Sequence, residues 1–249
     1  MKTMTFLGTG DAFNAAGALH STYLLTGSKE KLLLECGPSV LAALNRQRID
    51  SASVDFLLIS HLHGDHFGGL PFLFLEYSYR AKRKAPLIIA GPKGLQERAN
   101  QLYQIMYGKS LSELCFELEF HEVGPEEDFS LGDFSIHPFQ VPHNATPFAL
   151  GYRIKEGEHS LVFSGDSAFC DVLLEKSQHV DLFVCECCTV KPRLKQHISL
   201  HEIQNALPQL SCKTLILSHL GNEMRDHADT QIIKAFDGMV YDFALESIP

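Results

Sequence analysis

Ser60-His61-Leu62-His63-Gly64-Asp65-His66 packs three imidazoles and one carboxylate into the six positions from 61 to 66. Imidazole nitrogen and carboxylate oxygen together suit zinc, with manganese or iron also compatible. Four such groups cannot all face one way on a helix or a strand. A loop leaving a strand end can instead fold them around two ions. Three later residues stand just beyond expected strands: His143 after Pro142, Asp166 in the turn Ser164-Gly165-Asp166-Ser167, and His219 after Ser218. A single histidine at a strand end is usually structural. The repeated strand-then-ligand layout makes these three the candidates that complete two coordination shells.

Such ligands need a scaffold that gathers distant strand ends. Strands are expected over 4–7, 22–25, 31–35 and 56–59, with helices over 39–46 and 70–79. A strand at 87–90 leads through Gly91-Pro92 into a helix over 94–106. The second half repeats the theme, with strands over 115–122, 134–141, 149–154, 160–164 and 180–186. Ser199, with Glu202 three residues on, has the signature of a capping box and predicts a helix through Leu207. A strand over 214–218, a helix over 229–235 and a strand over 239–243 follow. Hairpins mixed with crossovers suggest helices covering the outer faces of packed sheets. No linker, low-complexity tract or charge block interrupts the sequence, which reads as one domain over 1–249.

Composition excludes several classes. A chain 45% hydrophobic and 20% charged is neither disordered, nor a coiled coil, nor a fibre. No apolar run approaches the ~20 residues that cross a bilayer, so no membrane partner is expected. Residues 1–10 lack the apolar core of a secretion signal, and the expected location is cytoplasmic. Twenty-one basic residues against thirty acidic ones give a net charge of -9, which disfavours a broad nucleic-acid footprint. Two basic clusters, Arg80, Lys82, Arg83, Lys84 and Lys191, Arg193, Lys195, are either solvated faces or brackets for a phosphate. The seven cysteines lack framework spacing. Cys185, Cys187 and Cys188 read as reduced structural thiols, with a soft-metal site as the lesser alternative. Phe67, Phe72, Phe74 and Tyr77 are expected in the core rather than lining a pocket.

Phe6-Leu7-Gly8-Thr9-Gly10, the cluster at 61–66 with Gly69-Leu70-Pro71, Gly91-Pro92, His143, Gly151-Tyr152, Gly165-Asp166-Ser167 and Ser218-His219 together resemble the metallo-β-lactamase superfamily. Within it the sequence resembles the tRNase Z and cyclic phosphodiesterase branch. The resemblance implies an αββα four-layer sandwich, two mixed sheets face to face with helices outside and the site at one edge. It also implies two divalent ions. One would take His61, His63 and His143, the other Asp65, His66 and His219, with Asp166 bridging them. An anionic bridge screens the repulsion between two dications. β-Lactamases of this fold commonly carry a cysteine where Asp166 stands, which argues against that activity.

Two such ions would hold a shared hydroxide near neutral pH, suited to attack on phosphorus or on an ester or thioester carbonyl. In the tRNase Z-like branch, a histidine matched by His197 stabilises the phosphate or protonates the leaving oxygen. An upstream glutamate, matched by Glu186, steadies it. Histidine can supply that proton near neutral pH. The expectation is a binuclear metal-dependent hydrolase, a phosphodiesterase acting on a small-molecule or oligonucleotide phosphodiester. Asp65 would orient the metal-bound hydroxide and His197 would assist the leaving group. His201, in the first turn after Ser199, is expected at the surface. The alternatives are a thioester or lactone hydrolase, or a non-catalytic metal-stabilised binding protein.

The sequence also departs from the branch. The glycine- and proline-rich arm by which tRNase Z proteins clasp tRNA has no counterpart between His143 and Asp166, so tRNA is not the expected substrate. Glu35-Cys36-Gly37 carries a glutamate where aspartate is common, and Glu35 is expected to orient the metal loop. Phe236-Asp237-Gly238-Met239 is similar to the tail of small cyclic phosphodiesterases of the branch, whose cysteine-rich extra metal site is absent. Dimers are common in the branch, and a homodimer is compatible with this sequence.

Overall fold

A computed structural model describes residues 1–228 and 231–248. The first half carries β1 (Thr3–Gly8), β2 (Thr22–Thr26), β3 (Lys31–Leu34), α1 (Val40–Arg46), β4 (Phe56–Leu58), α2 (Gly64–Phe67), α3 (Leu70–Leu75), β5 (Leu87–Pro92), α4 (Leu95–Tyr107) and β6 (Leu118–Val123). Next come β7 (Phe129–Leu131), β8 (Phe134–Val141), β9 (Ala149–Glu156), β10 (His159–Phe163), α5 (Asp171–Lys176) and β11 (Leu182–Glu186). The remainder is α6 (Leu200–Ala206), β12 (Thr214–Ser218), α7 (Asn222–Asp226), β13 (Ile233–Lys234) and β14 (Met239–Asp242).

The strands form two seven-stranded sheets, ordered β14-β1-β2-β3-β4-β5-β6 and β13-β12-β11-β10-β9-β8-β7. Each sheet is mixed. The first is antiparallel through β3 and parallel from β3 to β6. The second is antiparallel from β7 to β10 and parallel from β10 to β13.

Successive side chains on a strand face opposite ways, and strands covered on both faces read as continuous apolar runs. Leu32 and Leu34 of β3 point into a core between the sheets, with Phe6, Tyr23 and Leu25, against Leu150, Tyr152, Leu161, Phe163 and Val184. Leu33, Leu57 and Ile89 point the other way, toward Leu44, Leu70, Leu73, Ala99 and Tyr103 of α1, α3 and α4. Val162, Phe183 and Leu217 likewise meet Leu173, Leu200, Ile203 and Met224 of α5, α6 and α7. Three apolar layers between four layers of elements give the αββα sandwich. Each fully buried large aliphatic or aromatic side chain contributes roughly 1.5–3 kcal/mol. Two tyrosines also cross the central core. The Tyr152 hydroxyl donates to the Ile59 carbonyl at 2.7 Å, and the Tyr23 and Ser218 hydroxyls lie 2.8 Å apart.

The sequence-based elements differ from the structure in several places. The helix expected over 70–79 is α3 followed by a wider π turn, Glu76–Arg80, where Tyr77 is buried with its hydroxyl on the Ser51 carbonyl. The strand expected from 115 begins at Leu118, because a Ser110–Glu113 capping box closes a turn of 3-10 helix just before it. β7, α5 and α7 are three to six residues long, too short to show a period in the sequence. Of the helix expected over 229–235, residues 229 and 230 lie outside the described residues. Ile233–Lys234 form β13, whose pairing of Ile233 with Ile216 extends the parallel sheet. No helix among the described residues is long and apolar enough to cross a membrane.

Candidate metal centre

The candidate ligands lie just past the C-terminal ends of strands, the usual location of sites in open α/β sheets. The loop Ser60–His66 follows β4, His143 follows β8, Asp166 follows β10, and His219 directly follows β12. Backbone conformation helps to aim them. Gly165 has φ +59, and a Cβ there would fall 2.7 Å from the Leu150 carbonyl, so the turn presenting Asp166 needs glycine. Glu35 and His219 adopt left-handed φ values of 63 and 53, a strained conformation for residues with a Cβ.

Two groups of donors converge. His61, His63 and His143 form one, and Asp65, His66, Asp166 and His219 the other; in each, the donor atoms lie within 4.8 Å of one another and could hold a metal ion. Asp166 connects the groups. Its Oδ2 is 3.2 Å from His66 Nε2 and 3.4 Å from His219 Nε2, and 3.9 Å from both His61 Nε2 and His143 Nε2. Asp65 Oδ2 lies 3.2 Å from His66 Nε2 and 3.5 Å from His219 Nε2. His63 Nδ1 and His143 Nε2 face each other at 3.2 Å.

The outward-facing ring nitrogens set the tautomers. Ser60 Oγ is 2.9 Å from His61 Nδ1, the Asn144 carbonyl 3.0 Å from His63 Nε2, and the Gln196 carbonyl 2.9 Å from His143 Nδ1. Glu35 Oε2 lies 3.5 Å from His66 Nδ1, and its Oε1 accepts the Ser60 N–H at 3.1 Å. A nitrogen that donates to a carbonyl leaves the opposite nitrogen with a lone pair, and here those lone pairs turn inward. Among the described residues, His61 Nε2, both His66 nitrogens and both His219 nitrogens are buried without a hydrogen-bond partner. Each such orphan costs about 1–3 kcal/mol unless something takes it up. A divalent cation would do so, and the donor set fits one.

The charges follow the same geometry. Burial pushes His61 well below the ordinary imidazole range, and lowers His143 and His197. Burial alone would raise Asp65 and Asp166, but the imidazoles of His66 and His219 outweigh it and hold both carboxyls well below the usual range. His61, His66, Asp166 and His219 are buried, whereas His63, Asp65, His143 and His197 are partly exposed. The centre therefore opens on one side.

On that side His197 Nδ1 lies 2.9 Å from Glu186 Oε1. Glu186 is buried, and its carboxylate also accepts the Ser167 N–H at 2.7 Å and the Ile198 N–H at 3.3 Å. Burial, reinforced by the nearby Asp166 charge, pushes Glu186 well above the usual carboxylate range. The His197 ring stacks 5.5 Å from that of His219 and lies 5.1 Å from that of His143, at the junction of the two groups. The Ser199–Glu202 capping box is formed at the start of α6, and His201 is exposed on that helix.

The basic clusters separate. Arg83 is buried and spends its guanidinium on the Val54, Ala85 and Pro86 carbonyls at 2.7, 2.9 and 2.7 Å, so it is a structural residue and not a phosphate bracket. Arg80 reaches Asn45 and Glu76. Lys191, Arg193 and Lys195 are exposed on the loop that ends at Gln196, whose carbonyl holds His143. Phe67, Phe74 and Tyr77 are packed in the core, while Phe72 is partly exposed. The carbonyl supports from Asn144 and Gln196 carry no signal in the sequence, because every residue offers a carbonyl. Cys185 and Cys187 are core residues as expected; Cys188 instead places its Sγ within 4.8 Å of nitrogens of His197 and His219.

Comparison with known proteins places this geometry. A family profile described as anti-Pycsar protein Apyc1 matches residues 2–239. The protein Rv1339 of Mycobacterium tuberculosis is 31% identical over 244 residues, covering 96% of this chain and 88% of the relative. A ribonuclease Z of Lachnoclostridium phytofermentans is 26% identical over 271 residues, covering 88% and 87%. The crystal structure of YhfI from Bacillus subtilis, described as a metallo-β-lactamase fold protein, superimposes with a TM-score of 0.79 at 22% identity, covering 97% of this chain and 100% of that one.

Proposed function

The chain belongs to the family described as anti-Pycsar protein Apyc1, in the tRNase Z-like branch of the metallo-β-lactamase superfamily, and from that premise we propose that it is a binuclear metal-dependent phosphodiesterase. The observation that carries this reading is Asp166, whose Oδ2 lies 3.2–3.9 Å from Nε2 of His66, His219, His61 and His143. One anionic oxygen shared by two imidazole groups is what a pair of adjacent dications requires. His61, His63 and His143 would hold one ion, Asp65, His66 and His219 the other, with Asp166 between them. The donor set favours zinc, with manganese or iron also suited to it.

When bound, two divalent ions supply Lewis acidity, make water a nucleophile near neutral pH and neutralise charge on phosphoryl oxygens. The protein's own groups do the rest. Asp65, on the open side, orients the attacking water by accepting its hydrogen bond. His197, with Nδ1 engaged by Glu186, keeps Nε2 to hand a proton to the departing oxygen. Glu186 fixes the ring by its bonds to the Ser167 and Ile198 amides. Lys191 and Lys195, exposed in the segment that leads to Gln196 and His197, are our candidates for holding the substrate's phosphate.

A small or single-stranded phosphodiester fits this arrangement. The segment between His143 and Asp166 is taken up by the β9–β10 hairpin, leaving no arm there for a folded RNA. The ribonuclease Z relative supports phosphodiester over carbonyl chemistry. We read the enzyme as one domain working in the cytoplasm, where its seven unpaired cysteines stay reduced. The test is turnover of alkyl and aryl phosphodiesters, thioesters and lactones by zinc- or manganese-loaded protein, with metal content measured on the same sample. Phosphodiester turnover that disappears in Asp166→Ala is expected. Faster turnover of thioesters or lactones, or about two bound ions without any turnover, overturns the reading.

A further inference from the structure

Cys188 belongs to neither donor group, yet it sits beside His197 on the open side and beside the buried His219. Its Sγ lies within 4.8 Å of a nitrogen of His197 and a nitrogen of His219. The residue is buried, and its position is fixed from two directions. Its N–H donates to the Ile198 carbonyl at 3.0 Å, and its own carbonyl is so close to Gly221 that a Cβ there would fall 2.4 Å away. A second observation is independent of the thiol. His219 is buried and its Nδ1 has no hydrogen-bond partner among the described residues, whereas the outward nitrogens of His61, His63 and His143 are engaged and His66 Nδ1, also without a hydrogen bond, at least faces Glu35 at 3.5 Å.

The geometry points to Cys188, His197 and His219 as an alternative cation site, selective for thiophilic ions and inhibitory when filled. One thiolate and two imidazoles are a soft-to-borderline set suited to cadmium or to excess zinc. His219 belongs to this set and to the carboxylate-rich set of Asp65, His66 and Asp166, so the two compete for it. A hard ion such as manganese gains most from the two carboxylates. A thiophilic ion gains the sulfur instead. Binding exchanges the S–H bond for an S–metal bond, and the proton passes to solvent. It also engages a nitrogen of His197, the ring assigned above to the leaving group, and takes His219 from the carboxylate-rich set. The inference rests on that assignment for its inhibitory effect, and on geometry alone for the binding.

Cadmium titration of the manganese-loaded wild type and of Cys188→Ser tests it, read by the ultraviolet charge-transfer absorption of cadmium thiolate and, separately, by phosphodiester turnover. The other six of the seven cysteines contribute to both spectra, so the difference between the proteins isolates Cys188. A saturable difference band is expected in the wild type. The cadmium concentration that halves turnover should rise about ten- to a hundredfold in the variant, with manganese-supported turnover unchanged. Cys188→Ala, checked by thermal melting, gives the same answers if the serine variant does not fold. Absence of the difference band, or equal cadmium sensitivity, overturns the inference. A wild type without manganese-supported turnover counts against the phosphodiesterase reading, and the difference band then decides the cation site by itself.

Discussion

Glu186 Oε1 stands 2.9 Å from Nδ1 of His197 and 2.7 Å from the amide nitrogen of Ser167. A single carboxylate oxygen thus ties the histidine on the open side of the centre to the turn that presents Asp166. The proposed leaving-group donor and the proposed shared ligand are positioned by the same group.

His197→Ala should cut turnover of an alkyl phosphodiester by about 10²–10⁴-fold while barely affecting an aryl phosphodiester, whose leaving group needs no proton. Glu186→Gln should show the same leaving-group dependence with a smaller loss, since the amide keeps one acceptor for His197. Equal losses on both substrates would remove His197 from proton donation.

Chelation should abolish activity and lower thermal stability, because a cation that binds only the folded chain stabilises it. At a free metal concentration of 100 Kd that linkage is worth about 2.7 kcal/mol. Readdition of zinc or manganese should restore both. Asp166→Asn should retain fewer ions by elemental analysis and show a smaller melting shift on metal addition.

Glu35 is buried, accepts the Ser60 N–H at 3.1 Å and lies 3.5 Å from His66 Nδ1. Glu35→Gln should keep the contact to Ser60 and lose the negative charge behind His66. We expect metal affinity to fall about 10–100-fold, measured by competition with a chromogenic chelator. Unchanged affinity would show that the carboxylate has no hold on the ligand.

Arg83→Ala should destabilise the protein by about 2–4 kcal/mol, because it leaves four carbonyls without their donor and uncovers the Tyr77 ring, 5.0 Å from the guanidinium. Turnover of the folded fraction should not change. Lys191→Ala with Lys195→Ala should do the reverse, raising KM for a phosphate-bearing substrate and leaving the denaturation midpoint in place.

Asp181 joins β10, β11 and β12 by accepting the Ser160 N–H at 2.7 Å and pairing with Lys213 Nζ at 2.9 Å. Burial alone would raise its carboxyl, but Lys213 and the Ser160 amide outweigh burial and lower it. The folded chain therefore binds this proton less readily than the unfolded chain. The stabilisation is fully present above the ordinary aspartate value of ~3.9 and is lost as pH falls through the lowered folded value. Asp181→Asn should cost about 1–3 kcal/mol at neutral pH, with the gap to wild type closing in acid. A gap that persists unchanged in acid denaturation would contradict this.

The donors were legible in the sequence because metal chemistry is local in type and the fold is periodic in pattern. His61–His66 is dense enough to stand out by itself, and His143, Asp166 and His219 each follow an apolar strand run. What supports the donors was less legible. The Asn144 and Gln196 carbonyls are backbone groups, indifferent to side-chain identity. Arg83 sits in a run of charges that looks solvated, and only its burial and its four carbonyl partners show that it is interior. Cys187 and Cys188 are adjacent and chemically identical. Because β11 ends at Glu186, the backbone turns there, sending one thiol into the core and the other toward His197 and His219.

The tyrosine hydroxyls spanning the central core bind the integrity of the candidate centre to that of the sandwich. His61, His63, Asp65 and His66 come from one sheet, and His143, Asp166 and His219 from the other, so neither half owns a complete cage. Tyr152 and Tyr23 clamp the halves together at Ile59 and Ser218, within two residues of His61 and His219. Parting the two sheets would therefore separate the candidate ligands together with the apolar core between them.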